Sequence, residues 1–272
     1  MNPRGLGTRS RERLAALLRK RAGTVTPAEA AQILRIPGEK AARLLAAWAR
    51  SGWMSRVRRG LYVPVPLEAS TTEGPLDDPW LVATALFSPC YIGGWSAAEH
   101  WALTEQIFRS VCVMTATRPR KREPRLKGTQ FALRTVQESA LFGLKTVWRG
   151  RTRVQVSDPA RTLVDMLADP ALAGGIRPVA DVLKAFLRDH EKAIPALLEY
   201  GDRLDNSAIF KRLGFLLEAE ELGHLDLVAA CRKRLRSGYI KLDPSIPVPR
   251  LVTAWGLWVP KRWTAERSRD RP

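Results

Sequence analysis

The chain has 272 residues, of which 45% are hydrophobic, and at roughly 100–200 residues per domain this length suits two domains. The apolar content is enough for packed cores and excludes disorder along the whole length. Lys and Arg number 45 against 27 Asp and Glu, so the formal net charge is +18. Such an excess favours a polyanionic partner, nucleic acid first and an acidic membrane surface second.

Signatures of cofactor and metal chemistry are absent from the sequence. It holds no glycine-rich dinucleotide fingerprint, Walker-type loop, HExxH or GxSxG motif. Cys90, Cys112 and Cys231 are far apart, and we expect them to be reduced, mostly buried thiols. We therefore predict no cofactor and no metal. The sequence has no apolar run long enough for a membrane span, and its first residues do not form a signal peptide, so we expect a cytoplasmic protein without a membrane partner.

Positive charge is concentrated in the first quarter of the chain. Residues 1–66 carry 14 Lys and Arg against 3 Asp and Glu, and we expect them to form a first domain. Residues 67–78 are polar, acidic and contain Gly and Pro, which is typical of a linker. A second domain is expected over 79–260, followed by a basic flexible tail over 261–272. A second basic cluster, residues 118–127, is expected to be an exposed loop.

Three helices are predicted in the first domain. Leucines at helical spacing indicate the first, over residues 10–22. Thr26 and Glu29 form a capping box with proline at the first helical position, which predicts a short helix from Pro27 to Leu34. After a turn at Arg35, a third helix is expected from residue 38 to 51.

The third helix has one apolar face and one basic face. Its predicted buried residues follow the helical repeat: Ala41, Leu44, Leu45 and Trp48. A short helix, a tight turn and a longer basic helix are typical of a helix-turn-helix, whose second helix enters the DNA major groove. We expect Lys40 and Arg43 to reach base edges, and Arg35 and Arg50 to contact phosphates.

The residues after the third helix predict a β-hairpin. Residues 53–57 and 61–63 have strand character, and an arginine-rich turn joins them. This is typical of the wing of a winged helix, whose tip lies along the DNA backbone or in the minor groove. The predicted DNA-binding residues are Arg35, Lys40, Arg43, Arg50, Arg56, Arg58 and Arg59. Winged helices also dock proteins or RNA, and many basic faces are only solvated, so these alternatives stay open.

The second domain mixes helices and strands. Helices are predicted over 79–87, 97–103, 159–169, 178–189, 193–200, 208–222 and 225–235. The helix at 97 is assigned to a capping box that begins at Ser96, and the helix at 159 to an Asp158 cap. Strands are predicted over 110–117, 130–136, 145–148, 152–157, 238–242 and 253–259. The expected fold class is α+β, an N-terminal winged helix-turn-helix followed by a larger mixed α/β domain.

Clustered carboxylates raise the question of catalysis. Two groups could hold magnesium for phosphodiester chemistry: Asp158, Asp165 and Asp169, and Glu218, Glu220 and Glu221. Asp158 has a ready capping role, however, and no strand carries the Asp/Glu-x-Lys pattern of a nuclease. We predict no catalytic residues, and a metal-dependent nuclease is kept as a third hypothesis.

Six segments, in this order and spacing, resemble the AbiEi antitoxin family of the abortive-infection, type IV toxin–antitoxin systems. The similarity extends from the helix-turn-helix to about Pro260, with one departure at Trp101, where the family has glycine. The segments are residues 59–62 (RGLY), 96–106 (SAAEHWALTEQ), 157–165 (SDPARTLVD), 173–177 (AGGIR), 211–218 (KRLGFLLE) and 239–244 (YIKLDP).

The resemblance implies a non-enzymatic protein with an N-terminal winged helix and a C-terminal antitoxin domain. Family members repress their own operon by binding inverted repeats in double-stranded DNA. They counteract a nucleotidyltransferase-like toxin, often without a stable complex. We therefore predict a DNA-binding repressor and antitoxin; the alternative is an antitoxin that binds its toxin directly, with the winged helix as an accessory module. The operator, the oligomeric state and any DNA contact by residues 118–127 stay open.

Overall fold

The computed structural model describes residues 5–20, 23–65, 76, 78–150, 152–247, 250–260 and 263. Nearly all of the expected tail and of the expected linker therefore lies outside the described residues. Within these ranges the chain forms ten α-helices and eleven β-strands, which confirms the α+β fold class. No helix in the described part of the chain is long and apolar enough to cross a membrane.

The chain divides into two compact units, and the first combines Met1–Ile92, Arg109–Glu138 and Thr146–Gln155. This unit joins the helix-turn-helix segment with residues expected in the second domain, so independent folding of 1–66 stays a prediction. Its first elements are α1 (Thr8–Lys20), α2 (Pro27–Leu34), α3 (Gly38–Arg50), β1 (Met54–Arg58) and β2 (Leu61–Pro64). These bounds lie close to the predicted ones; positions 21–22 of the first predicted helix are outside the described residues.

The predicted capping box opens α2. The Thr26 hydroxyl accepts a hydrogen bond from the Glu29 amide at 3.3 Å, and the Glu29 carboxylate accepts one from the Thr26 amide at 2.9 Å. At the other end Arg35 adopts a left-handed conformation with φ of 51°. This reversal lets the Ile36 amide donate to the Ala31 carbonyl at 3.1 Å, which closes the tight turn before α3.

A small hydrophobic core holds these elements together. Its fully buried members come from all three helices, the hairpin and the α1–α2 connection: Leu14, Leu17, Val25, Ala30, Ala41, Leu45, Trp48, Met54 and Tyr62. The Trp48 indole also donates to the Ser10 hydroxyl at 2.8 Å and so ties α3 to α1. Three of the four residues predicted to line α3 are buried, and Leu44 is partly buried against the same core.

The rest of the first unit is built on α4 (Pro79–Phe87) and most of a six-stranded sheet. Its strands are β3 (Cys90–Ile92), β4 (Ser110–Thr115), β5 (Arg125–Leu126), β6 (Thr129–Thr135), β7 (Leu144–Arg149) and β8 (Thr152–Ser157). They lie side by side in the order β5-β6-β4-β3-β8-β7. β4 runs parallel to β6 and antiparallel to β3, and β5 runs antiparallel to β6.

The second unit combines Gly93–Phe108, Ser139–Lys145 and Val156–Pro272. Its helices are α5 (Gly94–His100), α6 (Pro159–Ala168), α7 (Ile176–Asp189), α8 (Ile194–Arg203), α9 (Ser207–Ala219) and α10 (Leu225–Arg232). A small sheet of β9 (Ile240–Lys241), β10 (Arg250–Val252) and β11 (Leu257–Val259) has the order β10-β11-β9.

The predicted bounds and the predicted cap of the helix at 97–103 are wrong. α5 begins at Gly94 with Gly93 as its cap, so Ser96 lies buried inside the helix and not at its N-terminus. The helix ends at His100 because Ala102 turns left-handed and the Leu103 amide returns to the Ala98 carbonyl at 2.8 Å. Strands β3, β5 and β10 were also not predicted; each has two or three residues, too few to show an alternation.

Two buried arginines organise the second unit. Arg161 on α6 donates from Nε to Asp165 at 2.9 Å and from Nη1 to the Phe142 carbonyl at 2.8 Å. Arg212 on α9 donates from Nη1 to the last carbonyls of α6, at 2.7 and 2.9 Å, and from Nε to the Leu242 carbonyl at 3.0 Å. A cation at a helix C-terminus is favourable, so Arg212 binds the end of α6 to the start of the small sheet.

All three cysteines are free thiols, as expected. Cys112 and Cys231 are buried, and Cys90 is half-buried. Burial raises the pKa of Cys90 to about 11 and that of Cys231 to about 12. Both sulfurs are therefore protonated near neutral pH and poor nucleophiles.

The capping box can be tested by substitution. Thr26→Ala removes the acceptor for the Glu29 amide, and we expect the free energy of unfolding to fall by about 1 kcal/mol. Thr26→Ser keeps the hydroxyl and serves as the control. Urea denaturation measures both variants, and equal stability of Thr26→Ala and the wild type would contradict the capping role.

The Arg161–Asp165 pair offers a second stability test. Asp165→Ala leaves the Arg161 guanidinium buried without its carboxylate, which costs about 3–5 kcal/mol. Asp189→Ala removes the carboxylate of an exposed pair with Arg188, and little change in the denaturation midpoint is expected. A similar midpoint for the two variants would show that the buried pair is not structural.

Candidate nucleic-acid interface

The exposed face of α3 carries a straight row of cations. Lys40, Arg43, Ala47 and Arg50 follow one another at helical spacing, and the three charged side chains are exposed. The buried residues of the helix lie on the opposite side, where Ala41 and Leu45 are 0% exposed and Trp48 is 1% exposed. From Lys40 to Arg50 the row is roughly 15 Å long, at a rise of about 1.5 Å per residue.

Arg43 forms an ion pair with Glu39. Its Nη2 atom lies 3.2 Å from the Glu39 carboxylate, one turn earlier, and the two side chains are 80% and 88% exposed. An ion pair so open to water contributes little to stability. Arg43 can therefore exchange Glu39 for another acceptor at low cost. The sequence places Glu39 on the open face of α3 but does not show this pair.

The hairpin presents three further arginines. β1 and β2 pair antiparallel with Arg56 opposite Tyr62 and Arg58 opposite Leu61, and an irregularity between the two pairs leaves Val57 unmatched. The two-residue turn that follows contains Gly60 at a φ of 78°, a conformation that glycine adopts without strain. Arg56, Arg58 and Arg59 are all exposed.

The base of the hairpin is held by a contact that the sequence does not reveal. Val25, between α1 and α2, exchanges two backbone hydrogen bonds with Tyr62 at 2.8 and 2.9 Å. Both residues are buried in the small core. A single bridging residue has no alternation to recognise, so only the apolar character of Val25 could have indicated it. The bridge fixes the hairpin to the helical part of the segment.

All seven residues predicted to bind DNA lie on the surface of this segment. Arg35 is exposed at the turn between α2 and α3, three residues lie along α3, and three lie on the hairpin. α3 packs directly against β1. The winged helix-turn-helix is therefore present as a folded frame with its cations outward, and their contact with DNA stays a prediction.

Five of the six carboxylates considered for a magnesium site have other partners among the described residues. The Asp158 carboxylate accepts from the Arg161 amide at 2.8 Å and from the Tyr200 hydroxyl at 2.9 Å. Burial, and then this bond to Asp158, raise the pKa of Tyr200 to about 12, so its hydroxyl stays a donor near neutral pH.

Two more of these carboxylates also accept hydrogen bonds. Asp169 accepts from the Ala171 amide at 3.1 Å, and Glu218 accepts from the indole of Trp255 at 2.7 Å. Among the described residues, no three His, Cys, Asp or Glu side chains are grouped so that they could hold a metal ion.

The comparison with protein families agrees with the frame described above. Residues 12–65, about a fifth of the chain, match a family model described as transcriptional regulator, AbiEi antitoxin. The matched range covers α2, α3, β1 and β2 completely and α1 in large part. No curated protein matches the chain. The N-terminal region of the chain is therefore similar to AbiEi antitoxin transcriptional regulators.

Proposed function

We propose that this protein is a sequence-specific DNA-binding repressor that controls its own operon, and an antitoxin that counteracts a nucleotidyltransferase-like toxin encoded with it. The similarity of residues 12–65 to this family model supports a regulatory and antitoxin role. The proposal of DNA binding depends on the row of cations on α3. These side chains are exposed, and the opposite face of the helix is buried in the core. The catalytic chemistry in this proposal belongs to the toxin.

Helix α3 is the proposed reading element. A major groove about 12 Å wide admits one helix, and Ala46 and Ala47 on the outer side allow a close approach. Lys40 and Arg43 lie in the first two turns, where a recognition helix meets base edges. We assign Arg43 to a guanine, because a guanidinium donates two parallel hydrogen bonds to its O6 and N7 atoms.

The other cations position the protein on the duplex. Arg50 at the end of α3 and Arg35 in the preceding turn are placed at the flanks of the groove and bind phosphates. The tip of the hairpin, with Arg58 and Arg59, follows the backbone or enters a narrow minor groove. These contacts add affinity for any sequence, whereas the first two turns of α3 supply preference.

Direct toxin binding is the second candidate, and one surface of the second unit favours it. Lys241 on β9 pairs in register with Trp258 on β11, and Tyr239 directly precedes β9. Tyr239 is 61% exposed and Trp258 is 37% exposed. Exposed aromatic side chains are typical of protein-docking surfaces.

The salt dependence of DNA binding tests the proposed contacts. If six of the seven cations neutralise phosphates, log K should fall with log salt with a slope of about −5 or steeper. Fluorescence anisotropy on a duplex from the region upstream of the coding sequence measures this slope. A slope near zero would reject an interface built on these side chains.

Substitutions distinguish contacts with bases from contacts with phosphates. Arg43→Ala should weaken binding to the upstream duplex by roughly 1–3 kcal/mol and reduce the preference over a shuffled duplex. Arg58→Gln with Arg59→Gln should weaken binding to both duplexes by similar factors. Mobility shifts on the two duplexes check both statements, and an unchanged preference in Arg43→Ala would show that α3 does not read bases there.

Growth rescue distinguishes the two candidate functions. A variant with Arg43→Ala, Arg58→Gln and Arg59→Gln is co-expressed with the toxin and tested for rescue and for repression of the operon promoter. Loss of repression with retained rescue would show that neutralisation is separate from DNA binding. A stable complex on co-purification would then support direct toxin binding.

A further inference from the structure

A dense cluster of positive charge in the first unit lies outside the winged helix. Residues 118–127 contain six cations and one carboxylate: Arg118, Arg120, Lys121, Arg122, Arg125 and Lys127, with Glu123. Five of the six cations are exposed, and Lys127 is half-buried. None of the six forms an ion pair with another described residue.

The sheet topology fixes the path of this segment. β4 and β6 are parallel neighbours, and β5 lies on the far side of β6. The chain must therefore leave the end of β4, cross the end of β6, and descend along the outer edge of β6 as β5. The first cations of the cluster lie at this crossing, and Arg125 lies on the sheet edge.

Backbone hydrogen bonds hold the descending part in place. The Leu133 amide donates to the Arg122 carbonyl at 2.7 Å, and the Phe131 amide donates to the Pro124 carbonyl at 3.0 Å. Arg125 is paired with Gln130, and the two-residue turn Lys127–Gly128, both at positive φ, leads into β6. The basic segment is thus an ordered rim, roughly 15 Å long from Arg122 to Lys127 at about 3.3 Å per residue.

We infer that this rim, residues 118–127, is a second DNA-binding surface that contacts the phosphate backbone of the same duplex. The inference rests on the proposed function and extends it to a second site of contact. A rim of this length corresponds to about four base pairs along the duplex axis, at about 3.4 Å each. Its contacts are with phosphates, so they add affinity without sequence preference.

The composition of the rim favours duplex DNA over other polyanions. Residues 118–127 contain no aromatic side chain, whereas single-stranded nucleic acids are held mainly by stacking on aromatic rings. Their single leucine, Leu126, is also too little apolar surface for insertion into a membrane.

The rim belongs to the same compact unit as the winged helix. Within that unit α4 packs on β3 and β4. A Cβ atom at Gly23, just after α1, would lie 2.5 Å from the Leu81 side chain of α4, so the helix-turn-helix segment closely approaches the layer that covers the sheet. Both cationic surfaces are therefore carried by one part of the fold.

The test measures the salt slope of full-length variants. Arg120→Gln, Lys121→Gln and Arg122→Gln together should change the slope from about −8 to about −5, because each phosphate contact contributes about 0.9. At physiological salt, affinity for the upstream and the shuffled duplex should fall by the same factor, on the order of 10–100-fold. Arg120→Lys with Arg122→Lys keeps the charge and should keep the wild-type slope.

A matched control removes the same charge from the second unit. Arg177→Gln, Lys192→Gln and Lys233→Gln remove three exposed cations and should leave the slope unchanged. Thermal melting confirms that all variants are folded. If the rim variant binds like this control, the inference is overturned. Stronger competition by a matched RNA duplex than by DNA would also overturn it.

The outcome for the rim and the outcome for the winged helix are separable. If Arg43→Ala loses its sequence preference and the rim variant keeps the wild-type salt slope, the proposed function stands and the rim is not a second DNA-binding surface. The opposite result is also informative. If the rim variant loses affinity while Arg43→Ala keeps the affinity and the sequence preference of the wild type, the rim binds DNA and α3 does not read bases. A wild type that binds neither duplex rejects both.

Discussion

The packing of one face of α3 is the constraint on which the DNA-binding account depends. Ala41, Leu45 and Trp48 are buried against α1, α2 and the hairpin. Because side chains of a helix repeat every 3.6 residues, burying that stripe turns Lys40 and Arg43 outward together. The hydrogen bond from Trp48 to Ser10 and the bridge between Val25 and Tyr62 hold helix and hairpin in one frame. The direction of the cations is therefore a consequence of hydrophobic packing.

The two units use their arginines differently. In the second unit Arg161 and Arg212 are buried, and each donates several hydrogen bonds to carbonyl or carboxylate oxygens. A buried charge must be paired in this way because its desolvation is costly. The arginines of the winged helix and of residues 118–127 are largely exposed, with few partners among the described residues. Exposed cations that are not paired within the fold are available to bind a polyanionic ligand. For this reason the first unit is the proposed DNA-binding part.

Sequence patterns predicted the elements that carry a local signal. The capping box at Thr26, the apolar stripe of α3 and the Asp158 cap of α6 depend on neighbours three or four residues apart, and each is confirmed. β3 and the Val25 bridge depend on partners far along the chain and are too short to show a period. The Ser96 pattern failed because the helix begins after Gly93 and ends before the left-handed turn at Ala102. The path of residues 118–127 along the sheet edge likewise requires the order of β4, β5 and β6, which no local pattern contains.

Methylation protection of guanine N7 tests the central claim most directly, because that atom lies on the floor of the major groove. With the wild-type protein bound to its upstream duplex, the account predicts protected guanines in each half-site and recovery of at least one of them in Arg43→Ala. If every guanine N7 remains as reactive as in free DNA while the protein stays bound, α3 is not in the major groove and the account is wrong.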